Sequence, residues 1–485
     1  MNLVFLQDFA PIGILALGAA GCVGLDLREH GSGAWGRPPS RWLALATLAL
    51  AFLASVGFWR TSYGATPPDI EHGSFLIDRF ALFFYAAGIA AAGAVVVCGA
   101  DAEVELEPHV GVYHALLLVA TGGVIFTASA ADLVSLAVGL AMTAMPLSLA
   151  LGLRKTDPAA MRTAVRSLTF SGLLLVVFIG GEGILAGVTG ATSLSAIAGQ
   201  PLPVDALLAL AALLIVIGAS GQIGLFPMGV WRVEEALTGP LMPAVARTVL
   251  IALAALAALV RLLPGALASA PGDWTVTVAV VAGLTLLGAP LMALRERRLL
   301  AVVHYLLIAQ MALALMAMTV VAATATAGIL YLSLGVVPAA AAALGLLGSF
   351  RVAGERDDPS AIRGLWARSP VLAGLLALLL AAVAGVPPLA GFFGRLFSLE
   401  AAARGGFGWL VWVALVSGVL SLAAAFRWML LVFDSRVDGP ELDLPGRTVM
   451  VGVTLCALTF LGFVVALGPL MGIAARAAVP PLFGP

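Results

Sequence analysis

The chain has 485 residues, 61% apolar and 11% charged, with a mean hydropathy of +1.09 and a formal net charge of −1. Soluble domains run about 45–50% apolar and about 25% charged, so a water-soluble fold is excluded. The absence of a basic excess excludes the electrostatic footprint of a nucleic-acid-binding protein. Crossing a bilayer as a helix takes about 20 apolar residues, which leaves room for roughly fourteen spans in a single membrane domain, 1–485.

In chain order, apolar runs bounded by charge, proline or glycine fall near 9–27, 42–59, 77–99, 110–128, 131–151, 164–187, 204–225, 240–262, 274–293, 299–322, 326–349, 370–397, 409–433 and 448–471. All are too long for strands, and unpaired backbone is not tolerated in lipid, so the expected class is all-α and polytopic. Met1–Phe9 has no basic n-region, so the first run reads as a retained span. The cysteines Cys22, Cys98 and Cys456 are scattered within apolar runs and form no metal or disulfide spacing.

Loop charges orient the chain. Arg28, Arg37 and Arg41 follow the first run, and Arg154, Lys155 and Arg162 the fifth. Arg295, Arg297 and Arg298 follow the ninth, and Arg351, Arg356, Arg363 and Arg368 the eleventh. Loops after even-numbered runs are nearly bare apart from Arg404. Basic loops stay cytoplasmic, so fourteen spans put both termini outside.

Two runs interrupt their own helix: S-G-Q-I-G-L-F-P-M (Ser220–Met228) and A-G-V-P-P-L-A-G-F-F-G-R (Ala384–Arg395). Proline removes a donor and clashes with the preceding turn, so Pro227, Pro387 and Pro388 mark expected breaks. Pro227 and Pro387 lie 160 residues apart, at corresponding places in two five-helix units. Paired interrupted spans point to an internal repeat around a central transport site, although two ordinary proline kinks would read the same way. The units are 110–262 and 274–433, preceded by three helices in 1–109 and followed by one in 448–485.

Ionisable groups inside spans are functional suspects. Arg395 follows the second break and Gln222 sits at the first. Arg166 lies near the start of the sixth run and His304 early in the tenth; His114 and Glu182 are weaker candidates. Each has a bland reading: snorkelling for the arginines, capping of freed backbone for Gln222, a satisfied core role for the histidines. Arg247, Arg261 and Arg427 read as interface anchors. No phosphate-binding loop, dinucleotide fingerprint or metal motif is present, so no cofactor is expected to bind this chain.

The stretch I-R-G-L-W-A-R-S-P-V-L-A (Ile362–Ala373), followed by A-G-V-P-P-L-A-G-F-F-G-R-L-F (Ala384–Phe397), resembles subunit N of bacterial NADH:quinone oxidoreductase, respiratory complex I. Tyr113–Thr121, Ser129–Leu136 and Ala293–Ala301 agree with the same family, over about residues 75–435. The resemblance implies an antiporter-like membrane-arm subunit with two inverted five-helix repeats in the bacterial plasma membrane. The other membrane-arm subunits and lipid would be its partners, and NADH and quinone would be used elsewhere in the complex. An Mrp-type antiporter subunit, a membrane hydrogenase subunit or a non-pumping structural paralogue are the alternatives.

Several positions depart from the family pattern. The span-5 glutamate is Ala141, the span-6 lysine Arg166, the lysine of the first broken helix Gln222, and the next lysine Ala252. The last lysine is Arg395, and the histidine after the first break is Gly229. Lysine can shed its proton on burial, whereas arginine does not deprotonate in proteins. The resemblance therefore implies a relay whose usual carriers are largely replaced, with Arg166 lacking its family partner.

Overall fold

The computed structural model describes residues 9–32, 39–61, 70–72, 74–202, 205–352, 362–435, 445–465 and 472. Arg37, Arg356, the side chain of Arg351 and most of 466–485 lie outside the described residues. The helices are α1 (Ala10–Ser32), α2 (Pro39–Thr61), α3 (Arg79–Cys98), α4 (Val110–Ala128), α5 (Leu133–Ala150) and α6 (Pro158–Thr189). Next come α7, split into α7a (Ala206–Ile223) and α7b (Gly229–Thr238), α8 (Leu241–Val260, continuing as a wider turn over Arg261–Ala266), α9 (Pro271–Arg295) and α10 (Leu299–Ala317). The chain goes on through α11 (Ala323–Val352), α12, split into α12a (Pro370–Ala384) and α12b (Ala390–Arg404), α13 (Gly408–Val432) and α14 (Arg447–Val465). A small hairpin of β1 (Ile70–His72) and β2 (Phe75–Ile77) precedes α3. Among the described residues, twelve helices are long and apolar enough to cross a membrane, and two shorter apolar ones, Pro370–Ala384 and Arg447–Thr459, accompany them. The protein is a multi-pass helical membrane protein.

Local chemistry fixes the helix ends. Aspartates cap α3, α5, α6 and α7a, each carboxylate accepting a first-turn N–H: Asp78 from Ala81 at 2.8 Å, Asp132 from Ser135 at 2.7 Å, Asp157 from Ala159 at 2.8 Å and Asp205 from Leu208 at 2.8 Å. These donors have no intrahelical partner, and lipid offers none.

Burial sorts the helices into layers. Every residue of α8 and α10 is buried, as expected of helices apolar on all sides at the centre of a large assembly. By contrast α1, α2, α6 and α13 leave wide apolar stripes outward, among them Val165, Leu173, Val176, Trp412 and Val419. Small residues allow close approach where helices cross. A Cβ on Gly218 of α7a would fall 2.7 Å from Phe178 of α6, and one on Gly181 of α6 2.8 Å from the Ala211 carbonyl. The two broken helices occupy the fourth place in successive units of five, α4–α8 and α9–α13. Five is odd, so the second unit enters from the opposite face.

Candidate charge site at the two broken helices

The first break follows from Gly224 and Pro227. Gly224 ends α7a in the left-handed region, with φ +92°, where a β-carbon is penalised. Proline at 227 cannot continue the ladder, and the chain resumes as α7b at Gly229. This frees the Gln222 carbonyl, which accepts from the Arg232 Nη2 of α7b. The C-terminal end of α7a carries partial negative charge, so a guanidinium suits it.

Arg232 is one member of a buried network. Its Nη1 lies 3.3 Å from Glu235 Oε2, and the same oxygen accepts from Arg247 Nη1 of α8. Arg247 Nη2 donates to Ser171 Oγ of α6, and its Nε donates to Ser148 Oγ of α5 at 3.1 Å. Gln222 closes the ring: Nε2 donates to the Ser171 carbonyl at 2.8 Å, and Oε1 accepts from Ser171 Oγ at 3.1 Å. Gln222, Arg232, Glu235 and Arg247 are 1%, 7%, 7% and 2% exposed. Four helices thus share two guanidiniums and one carboxylate, a net positive charge away from water.

The second break repeats the design with fewer parts. Gly385 ends α12a with φ +79°, Pro387–Pro388 follow, and α12b begins at Ala390. Arg395 Nη2 donates to the freed Ala384 carbonyl at 3.2 Å, and Gln310 Nε2 of α10 donates to the Val383 carbonyl at 2.8 Å. Glycines make the room: a Cβ on Gly418 of α13 would meet Arg395 Nη1 at 2.8 Å. Among the described residues no carboxylate pairs with Arg395, and its Nε is buried without a hydrogen-bond partner. Each break therefore places an arginine from its second half on the carbonyl end of its first half.

The remaining sequence candidates fall elsewhere. Arg166 is 36% exposed on the outer face, 2.8 Å from Glu234 Oε2 of α7b, beside the Phe170–Trp231 stack. It has a carboxylate partner after all, supplied by α7b instead of span 5. His304 is fully buried; its Nδ1 is 2.9 Å from the Leu300 carbonyl one turn back, and its Nε2 has no partner among the described residues. Among the described residues, no hydrogen bond joins His304 to either break. Glu182 is buried with Oε1 likewise unpartnered. Ala252 is buried apolar packing; the cation of α8 comes from Arg247, five residues earlier.

Two anchors are corrected. Arg247 and Arg261 do not reach an interface: they are 2% and 1% exposed. Arg261 makes a bidentate pair with Asp78 at 2.7 Å and 2.7 Å and also donates to the Ala128 carbonyl. Arg427 does sit at a helix end, donating to the Leu294 and Glu296 carbonyls at 2.7 Å and 2.6 Å. His114 lies between Glu103 Oε1 and Ser40 Oγ, each at 3.1 Å, with Arg41 on the other Glu103 oxygen. Arg232 and Glu235 escaped the sequence reading because V-W-R-V-E-E-A-L-T resembles a polar connector. The available signal was an Arg-x-x-Glu pair one turn beyond a Gly/Pro break.

The family profile described as NADH:quinone oxidoreductase/Mrp antiporter, TM, matches residues 130–421, covering both breaks. A curated relative from Koribacter versatilis, NADH-quinone oxidoreductase subunit N 1, is 30% identical over 412 residues, 79% of this chain and 78% of that one. The chain belongs to the NADH-quinone oxidoreductase subunit N family. A Geobacillus kaustophilus subunit N agrees, at 29% identity over 484 residues, 94% of this chain and 95% of the relative. Solved structures carry the fold alone. A chain of Thermus thermophilus respiratory complex I with bound aureothin aligns with TM-score 0.79 at 21% identity, covering 96% of this chain and 99% of its own. A chain of the Dietzia Mrp complex aligns with TM-score 0.81 at 16% identity, covering 99% and 98%. As a subunit N family member, this chain places its two interrupted helices inside the antiporter-like core.

Proposed function

We propose that this chain is an antiporter-like membrane-arm subunit of a proton-translocating NADH:quinone oxidoreductase, with NADH and quinone used by other subunits. The carrying observation is that both family-defining breaks hold a buried cation against a freed helix carbonyl. At these sites Arg395, and Arg232 with Arg247, supply charges that cannot be discharged at any physiological pH. A proton therefore does not travel by stepwise loss from these groups. What they can do is fix the field at the two breaks, while Glu235 and the hydroxyls of Ser148 and Ser171 remain as groups able to accept or hand on a proton. Both termini are placed on the periplasmic side of the plasma membrane, on the strength of the arginine-rich odd-numbered loops.

A second reading, a bracing subunit that no longer pumps, is favoured by the replacement of lysine with arginine and glutamine. The Mrp likeness keeps an antiporter complex as a third. Purification of the native complex through a tag on this chain tests the assignment. Nicotinamide- and quinone-reactive subunits are expected beside it; additional antiporter subunits or a nickel–iron hydrogenase would redirect it. Proton stoichiometry in vesicles, compared for Arg395→Gln and Arg166→Gln complexes, then separates pumping from bracing. If both neutral variants pump like the parent, neither arginine takes part.

A further inference from the structure

We propose that the recess beside the first break is a binding site for an anionic phospholipid, with one acyl chain in the recess and the phosphate on Arg295, Arg297 and Arg298. The recess has a volume of about 140 Å³ and is walled by Pro227, Val230, Leu284, Gly288, Met292 and Tyr305. It opens on the outer surface, where Phe226, Val230 and Leu284 are 49%, 54% and 45% exposed. Gly288 forms part of its floor, and a Cβ there would meet nothing within 4 Å.

Three observations select the occupant. The lining is almost wholly apolar, and its Thr285 hydroxyl is already committed, accepting from the Phe226 N–H at 2.9 Å and donating to the Val281 carbonyl at 2.7 Å. A quinone ring would find little to hold its two oxygens, whereas an alkyl chain asks for nothing polar. The depth matches one leaflet: Leu284 and Arg295 are eleven residues apart on α9, about 16 Å at about 1.5 Å per residue, against about 15 Å for half a hydrocarbon core. At the shallow end, Arg295, Arg297 and Arg298 are exposed. Among the described residues none of the three pairs with a carboxylate; the intervening Glu296 spends Oε1 on the backbone N–H groups of Arg297 and Arg298, at 2.8 Å and 3.2 Å. Arg427 adds a fourth cation on the Leu294 and Glu296 carbonyls. Basic pockets at helix ends hold anionic headgroups in this manner. A seated chain would cover Pro227 and Val230 and so seal the lipid side of the break, behind which Gln222 and Arg232 carry their charge network.

The test uses the intact complex in vesicles containing either phosphatidylglycerol or phosphatidylcholine, each with the same photoactivatable acyl chain. Adducts are mapped by mass spectrometry. Phosphatidylglycerol is expected to label 226–230 and 284–292 several-fold more than phosphatidylcholine. Gly288→Phe fills the recess and should cut that labelling about tenfold, while Gly288→Ala should leave it. Replacing Arg295, Arg297 and Arg298 together by glutamine should bring the two lipids to parity without removing adducts. Equal labelling by both lipids in the parent complex overturns the proposal. So does labelling indifferent to Gly288→Phe, or a recess that gives no lipid adduct because protein covers it.

Discussion

A carboxylate held between two guanidiniums inside a membrane protein is costly to disturb, and Glu235 is in that position. Taking one partner from a buried ion pair leaves the other charge uncompensated, at about 3–5 kcal/mol. Glu235→Gln would leave both Arg232 and Arg247 without a counterion, at positions 7% and 2% exposed. The expected outcome is a sharp fall in the fraction of chain that survives a heating step in detergent, a readout that does not assume two-state unfolding. Arg166→Gln is the matched control. Its pair with Glu234 is 36% and 47% exposed, and exposed pairs contribute about 0–1 kcal/mol. Equal heat survival of the two variants would show that the α7b–α8 network is not a structural load. The same comparison explains why Arg166, a candidate by sequence position, belongs with surface pairs: its place on α6 turns it outward.

Single elements show where sequence reasoning reaches and where it stops. The breaks in α7 and α12 were legible because Gly and Pro act on their own backbone: Gly224 and Gly385 occupy φ > 0, and the prolines block the next turn. The groups that answer those breaks were less so. Arg232 lies in a stretch whose polarity reads as a connector, and Arg261 finds Asp78 across 183 residues of chain, a pairing no local pattern encodes. Gly224 also carries a second constraint visible only in three dimensions, since a Cβ there would fall 2.5 Å from Arg232 Cγ. Gly190 has a comparable dihedral, φ +66°, with nothing within 4 Å. Gly190→Ala should therefore cost only the left-handed penalty of about 1–2 kcal/mol. Gly224→Ala should cost more, because it also displaces the guanidinium from the Gln222 carbonyl. Thermal survival of the two alanine variants measures the difference; parity would mean that α7b moves aside freely.

At the scale of the whole molecule, the two units differ in how their charge is balanced. The first break shares two arginines with Glu235, whereas at the second, among the described residues, Arg395 donates to the Ala384 carbonyl at 3.2 Å and pairs with no carboxylate. A positive charge fixed near the middle of a low-dielectric bundle repels any cation that approaches, and arginines and helix ends exclude protons from pores in this way. A complex that stores energy as a proton gradient gains from such a barrier, since every passive return of a proton wastes it. Arg395→Gln removes the charge while keeping a side chain able to donate to the Ala384 carbonyl. Vesicles carrying that variant, given an imposed pH step and no electron donor, should lose the gradient several-fold faster than vesicles with the parent complex, read with an internal pH dye. Arg395→Lys keeps an amine that can carry the charge but, unlike arginine, can shed its proton on burial, so its leak should fall between those of the parent and the glutamine variant. An unchanged leak in Arg395→Gln would place the second break off any water-accessible route and reduce its arginine to a helix cap.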